Sequence, residues 1–150
     1  MTNTPSKTSL QSLGCTFHHI GIACKNLDRE QQVWEQLGYT QESPEFADPI
    51  QKIKGRFLTG PGPRLEILAP GGESSPVEGF LKRRTKMYHQ AFTTPQFDAT
   101  LVALESTGAR RTADPASAIA FSGRRIVFLL LPNGNLIEII ESPTDAPSTP

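Results

Sequence analysis

The sequence has no surplus of charge of either sign. Its 150 residues include 15 Lys and Arg and 15 Asp and Glu, which gives a formal net charge of zero. Proteins that bind nucleic acid and polybasic membrane anchors need excess cations to neutralise phosphate groups, so this balance argues against both classes. A small molecule is therefore the expected partner, with neither nucleic acid nor a membrane involved.

Long apolar runs are also missing from the chain. No stretch approaches the roughly 18 to 20 apolar residues that cross a bilayer, and the first residues lack the apolar segment of a signal peptide. These absences predict a cytoplasmic protein. The two cysteines, Cys15 and Cys24, show no Cys-x-x-Cys spacing, so neither a disulfide framework nor a thiolate metal site is expected.

Two terminal segments have the composition of disordered tails and frame a single domain. Residues 1–14 are rich in Ser, Thr and Asn, and residues 143–150 carry three prolines. The domain is expected to span residues 15–142. Its expected parts are a first module at about 15–70, a linker at 71–86 and a second module at about 87–142.

The first module begins with a strand and a helix. Alternation predicts a strand at 17–23, in which His19 points away from the face shared by Ile20 and Ile22. A helix follows and stops at Gly38. Further strands are predicted at 50–58 and 64–69, on either side of a Gly-Pro-Gly-Pro turn.

The same order of elements then recurs, which indicates an internal duplication. An offset of 70 residues places His19 on His89, and it also places Asp28 on Asp98, where each aspartate is predicted to cap a helix. Duplications of this kind determine the architecture of a fold. The repeat predicts an α+β fold in which two βαβββ modules form a cupped mixed sheet with helices on its outer face.

Each module contributes one histidine from its first strand and one glutamate from its last. Glu66 and Glu138 each lie between two apolar residues, so each carboxylate should point away from a packed apolar row. Carboxylates buried without a partner are costly, and a shared cation offsets that cost. We therefore predict a divalent metal (Zn, Ni, Co, Mn or Fe) bound by His19, Glu66, His89 and Glu138. His18, placed on the opposite face of its strand, is expected to be a core or supporting residue.

Several segments resemble the vicinal oxygen chelate superfamily, which includes glyoxalase I, bleomycin-resistance proteins, extradiol dioxygenases and epimerases. The segments at 17–23, 64–70, 88–89 and 135–138 are most similar to methylmalonyl-CoA epimerase-like proteins, and the resemblance spans residues 16–142. It implies the same four metal ligands that the repeat predicts. It also implies a homodimer.

One position departs from the epimerase pattern. The resemblance places a catalytic glutamate of the epimerases at the start of the second strand, where this chain has Ile50. Isoleucine cannot accept a proton, so Asp48, Gln51 or Lys52 would have to stand in for it. Gln51 and Lys52 are expected to lie at a specialised substrate edge.

The resemblance implies a metal-dependent isomerase or epimerase that transfers a proton beside a metal-bound carbonyl, with an acyl-CoA or other thioester as substrate. Glu138 is the first candidate for the base and Glu66 the second, because a carboxylate ligand that leaves the metal can take a proton. Three alternatives stay open. They are a glyoxalase I-like lyase acting on hemithioacetals, a non-enzymatic binding protein for small molecules such as drugs, and an Fe(II) ring-cleaving dioxygenase.

Two groups of cations are further candidates for substrate contacts. Arg124 or Arg125 could bind a substrate carboxylate or phosphate through the fork of its guanidinium group, or could be an ordinary solvated charge. The cluster formed by 82–84 and Lys86 could contact a nucleotide moiety. A solvated face is the alternative for that cluster.

Overall fold

The computed structural model describes residues 9–143. Most of the two predicted tails, at 1–8 and 144–150, lies outside these residues. The described part of the N-terminal segment forms a short 3₁₀ helix at Gln11–Leu13. Leu10 packs against the apolar cluster of the second half of the domain, so this part of the segment belongs to the folded body.

Residues 9–143 form a mixed sheet of ten strands with three α-helices, which confirms the predicted α+β class. The elements of the first half are β1 (Thr16–Ala23), α1 (Leu27–Glu35), β2 (Thr40–Gln41), β3 (Phe46–Asp48), β4 (Ile53–Thr59) and β5 (Leu65–Pro70), followed by α2 (Pro76–Lys82). The elements of the second half are β6 (Met87–Thr94), α3 (Phe97–Ser106), β7 (Arg110–Arg111), β8 (Ala116–Ser117), β9 (Arg125–Leu130) and β10 (Leu136–Glu141).

The sheet has the strand order β2-β4-β5-β1-β6-β10-β9-β7, with β3 paired to β4 and β8 paired to β9. In each half the first long strand runs parallel to the last, as β1 with β5 and β6 with β10. The halves meet through the antiparallel pair β1 and β6. This arrangement places the four strands that carry the predicted ligands side by side at the centre of the sheet.

The alternation of β5 and β10 separates an apolar face from a polar one. Leu65 and Ile67 pack in the cluster beneath α1, and Ile137 and Ile139 pack in the cluster beneath α3. Burying such side chains contributes about 1.5–3 kcal/mol each and fixes which way the strand faces. The glutamate between each pair therefore points to the opposite, concave face of the sheet.

The prediction that Asp28 caps α1 is wrong. The capping residue is Asn26, whose Oδ1 accepts a hydrogen bond of 2.9 Å from the backbone N–H of Arg29. Asp28 is already helical, and a cap must stand before the first helical residue with extended backbone. Its carboxylate instead pairs with Arg56 of β4 at 2.7 Å.

Asp98 does not cap α3 either. Gln96 occupies the capping position and makes no side-chain capping hydrogen bond. Asp98 lies in the first turn of the helix and pairs with Arg125 of β9 at 3.3 Å. The two aspartates thus have equivalent roles in the repeat, because each ties the start of a helix to an arginine on a neighbouring strand.

Candidate metal and substrate site

Four ligand atoms converge on the concave face of the sheet. They belong to His19 of β1, Glu66 of β5, His89 of β6 and Glu138 of β10, and all lie within 4.8 Å of one another. The two histidine Nε2 atoms are 3.1 Å apart. Each glutamate Oε1 is 3.0–3.5 Å from both of these nitrogens. All four side chains are buried, so residues distant in sequence form one enclosed donor group.

The charges in this donor group balance one another. Burial alone would lower the pKa of both imidazoles, but the charge of Glu66 and the contact with Glu138 raise the pKa of His19 to about 9, and the same two carboxylates raise the pKa of His89. Burial would raise the pKa of both carboxylates, yet the histidines lower it. The pKa shifts therefore favour the charged forms of both kinds of group when no metal is bound.

This donor set fits a divalent cation. Ligands about 2.0–2.2 Å from a metal lie about 3.0–3.4 Å from their nearest neighbours, depending on the geometry, and the observed separations of 3.0–3.5 Å agree with that spacing. A divalent ion displaces protons from imidazole ligands as it binds, and its charge offsets that of the two carboxylates. Glu138 Oε1 is also buried with no hydrogen-bond partner among the described residues, which leaves its lone pairs free for a cation.

The prediction that His18 lies on the opposite face from His19 is wrong. The register between β1 and β6 shifts between Phe17 and His19, so His18 is a bulged residue. A bulge adds one residue to a strand and breaks the alternation of its side chains. The His18 ring consequently lies beside that of His19, with the two Nδ1 atoms 2.7 Å apart.

Gly21 supports the donor group in a way that sequence reasoning missed. It pairs with His89 across the two central strands. A Cβ atom built on Gly21 would lie 2.5 Å from His89 Nδ1 and 2.8 Å from Nε2, well inside normal contact distance. The imidazole therefore rests directly on the glycine backbone. The sequence signal for this contact is a small residue opposite a histidine in the adjacent strand. It can be recognised only once the strand pairing is known.

A cavity of about 30 Å³ lies against one side of the donor group. Glu66, His89 and Glu138 line it, whereas His19 does not. A volume of this size holds about one water molecule. The rest of the wall comes from both halves of the chain and includes Asp48, Gln51, Tyr88, Phe121 and Phe128.

Asp48 fastens the two edges of this cavity together. Its Oδ1 accepts hydrogen bonds from the backbone N–H groups of Ile50 and Gln51, and its Oδ2 accepts one of 3.1 Å from the N–H of Ile119 in the second half. Asp48 is buried, while the side chain of Ile50 is 65% exposed. Of the residues predicted near this edge, Asp48 and Gln51 reach the cavity, and Ile50 and Lys52 are not among its lining residues.

Neither Arg124 nor Arg125 lies in the cavity wall. Arg124 donates hydrogen bonds to the backbone carbonyls of Phe121 and Glu141. Arg125 pairs with the carboxylates of Asp98 and Glu141, and this contact raises its pKa. In this structure both guanidinium groups serve the packing of the second half rather than facing the donor group.

Of the basic cluster at 82–84 and Lys86, all but Arg83 line a separate exposed groove beside the start of α1, and Arg83 lies over the ring of Phe80. Lys86 is paired with Glu30 across this groove. The groove shares no lining residue with the cavity beside the donor group. Within residues 9–143, no helix is long and apolar enough to cross a membrane.

Comparison with known proteins assigns the family. The model of the glyoxalase/bleomycin resistance protein/dioxygenase superfamily matches residues 18–128. The chain belongs to this superfamily. The matched segment contains His19, Glu66 and His89, and Glu138 follows ten residues after its end.

Several members of this superfamily that resemble the chain are epimerases. The ethylmalonyl-CoA/methylmalonyl-CoA epimerase of Cereibacter sphaeroides is 28% identical, with 82% of this chain and 95% of the relative covered. The mitochondrial methylmalonyl-CoA epimerase of Homo sapiens is 24% identical, with 81% of this chain and 69% of the relative covered. A solved structure of methylmalonyl-CoA epimerase in complex with methylmalonyl-CoA and NH4+ is 28% identical and superposes with a TM-score of 0.71, covering 85% of this chain and 94% of that one.

Proposed function

We propose that the protein is a metal-dependent epimerase or isomerase that transfers a proton at the carbon beside a thioester carbonyl of an acyl-CoA. The convergence of four buried ligand atoms next to a cavity carries this proposal. Similarity to acyl-CoA epimerases over most of the chain supports the reaction class and the substrate class.

His19, Glu66, His89 and Glu138 would hold the metal. A bound divalent ion supplies Lewis-acid stabilisation of the negative charge that develops on a carbonyl oxygen. Zn, Ni, Co, Mn and Fe all remain candidates, because imidazole and carboxylate donors suit each of them. The homodimer that the resemblance implies stays a prediction.

Glu138 is the better candidate for the base. Glu138 lines the cavity, and its Oε1 is 3.2 Å from the nearest imidazole nitrogen, that of His89, whereas Glu66 Oε1 lies 3.0 Å from His19 Nε2. The more loosely held carboxylate would leave the metal more readily to take a proton from a substrate carbon. Glu66 faces the same cavity and is the second candidate.

An epimerase has to deliver a proton to the opposite side of the carbon, and Asp48 is the acidic side chain that lines the cavity besides the two glutamates. Its carboxylate is held by three backbone N–H groups. The cavity has a volume of only about 30 Å³, so admission of an acyl-CoA to the donor group would require the edges joined by Asp48 to separate. Release of Ile119 would free one oxygen of Asp48 for the substrate.

Solvent deuterium exchange tests the proposal. Protein loaded separately with each candidate metal is incubated in D2O with a panel of 2-substituted acyl-CoA esters, and label at carbon 2 is measured by mass spectrometry. We expect metal-dependent incorporation that Glu138→Gln lowers by about 10²–10⁴-fold, the usual contribution of a general base.

The same experiment separates the alternatives. Exchange with hemithioacetals alone would assign a glyoxalase I-like reaction, and oxygen uptake on catechols with iron would assign a ring-cleaving dioxygenase. Stoichiometric metal with no exchange on any of these substrates would refute the proposed chemistry. Absence of stoichiometric metal would favour a non-enzymatic binding protein.

A further inference from the structure

The two histidines of the donor group are supported differently on the side away from the cation position. His19 Nδ1 lies 2.7 Å from His18 Nδ1. His89 Nδ1 is buried and has no hydrogen-bond partner among the described residues. The repeat relates His19 to His89, so this difference is a departure from the internal symmetry of the two halves.

The two halves have equivalent bulges that hold different residues, and this explains the difference. Register shifts in the central strand pair occur beside His18 in β1 and beside Tyr88 in β6, and these two residues are related by the same offset of 70. Each bulge turns the residue that precedes a ligand towards that ligand. In the first half that residue is an imidazole, which offers a nitrogen, whereas the Tyr88 ring meets His89 only by its edge at a centroid distance of 4.7 Å.

Two nitrogens 2.7 Å apart must share one proton, so one imidazole donates and the other accepts. If His18 donated, the neutral His19 ring would carry its own proton on Nε2, the atom that faces Glu66 and Glu138. That proton would block coordination. If His19 donates from Nδ1, its Nε2 presents a lone pair to the cation. The geometry leaves only the second arrangement compatible with a metal.

The His18 ring is held in place for this role. It makes edge contacts with Phe57 and Phe121 at centroid distances of 5.9 and 5.5 Å. Arg64 donates a hydrogen bond to the backbone carbonyl of His18, which fixes the bulged backbone. A hydrogen bond to the outer nitrogen of a metal-bound histidine orients the ring and makes it a stronger ligand.

We infer that His18 is a positioning residue: its Nδ1 accepts a hydrogen bond from His19 Nδ1–H and so presents His19 Nε2 to the metal. This inference rests on the metal site proposed above. In this role His18 acts on the ion only through His19, in the first half of the repeat, and makes no contact with the substrate.

Metal affinity tests this role. His18→Phe keeps an aromatic ring between Phe57 and Phe121 but removes the acceptor, while His18→Asn places an amide oxygen close to the position of Nδ1. Zn²⁺ affinity is measured by competition with a chelator, and thermal melting of each metal-free variant checks folding. We expect about a 10–100-fold loss of affinity in His18→Phe and recovery of most of it in His18→Asn. Tyr88→Phe, the equivalent position of the second half, should keep wild-type affinity.

Nuclear magnetic resonance supplies a readout that packing alone would not change. In zinc-loaded wild-type protein, the His19 Nδ1 proton should give a slowly exchanging downfield signal that disappears in His18→Phe. Equal affinity and an unchanged signal in that variant would overturn the inference alone, as would equal loss in His18→Phe and His18→Asn. Wild-type protein that binds no zinc or other candidate ion would overturn the proposed metal site as well.

Discussion

Gly21→Ala tests whether the His89 ring rests on the backbone of Gly21. The new methyl group would lie 2.5 Å from His89 Nδ1, whereas ordinary contacts begin at 3.4 Å, so the imidazole must move by about 1 Å. Metal–ligand distances tolerate errors of only about 0.2 Å. The displacement is several times larger than that tolerance, so the variant should lose His89 as an effective ligand.

The expected cost divides between stability and metal binding. Overpacking of this kind destabilises a protein by about 1–3 kcal/mol, which should appear as a lower free energy of unfolding of the metal-free variant. Metal affinity should fall by at least about 10–100-fold, the range seen when ligands lose their supporting contacts. Backbone strain should contribute little, because Gly21 lies inside strand β1 and has no positive φ.

Chemical denaturation and competition titrations with zinc measure the two effects. Gly72→Ala is the matched control, since the nearest atom to its new methyl group is Lys52 Cβ at 4.0 Å, and it should leave affinity unchanged. Wild-type zinc affinity in Gly21→Ala, together with unchanged stability, would show that the imidazole does not rest on this glycine.

Three further outcomes follow from the same site. Metal binding near pH 7 should release protons from His19 and His89, whose pKa values are both raised, and calorimetry in buffers of different ionisation enthalpy would detect this release; release of none would contradict the raised pKa values. Metal-free protein should be most stabilised by His19 below pH 6.5 and lose that contribution as pH rises through about 9, whereas a flat urea-unfolding profile from pH 6 to 9.5 would count against it. Arg125→Ala should lower the free energy of unfolding by at most about 1 kcal/mol, because its ion pairs are exposed, and should leave deuterium exchange unchanged. A loss of exchange would indicate that this arginine contacts the substrate.

The convergence of His19, Glu66, His89 and Glu138 could be predicted from the sequence because it depends on two regular features. The repeat identifies equivalent residues whatever their separation along the chain. Strict alternation then places Glu66 and Glu138 opposite their apolar neighbours. Both features can be recognised without knowing the strand pairing, because they depend only on spacing along the chain and on the two-residue period of a strand.

The supporting residues could not be predicted because they depend on irregular features. The bulge at His18 is a property of the pairing between β1 and β6, and no pattern within either strand reveals it. The predicted helix caps were wrong for a related reason. Helix α1 starts two residues earlier than a cap at Asp28 requires, so Asp28 lies inside the helix and pairs with Arg56. The hydrogen bond from Ile119 to Asp48 joins segments 71 residues apart, which no local pattern encodes.

The two halves of the repeat differ in what their histidines can do. His19 is fully buried and absent from the cavity wall, with His18 behind it, so it suits the role of a fixed anchor. His89 faces the cavity and rests on Gly21, with no polar partner on its outer nitrogen among the described residues. In the proposed reaction, a substrate carbonyl that enters the cavity would therefore meet the donor group from the His89 side. Glu66 and Glu138 also line the cavity, so both carboxylates would be available to a carbon bound there, while His19 would hold the ion from the other side.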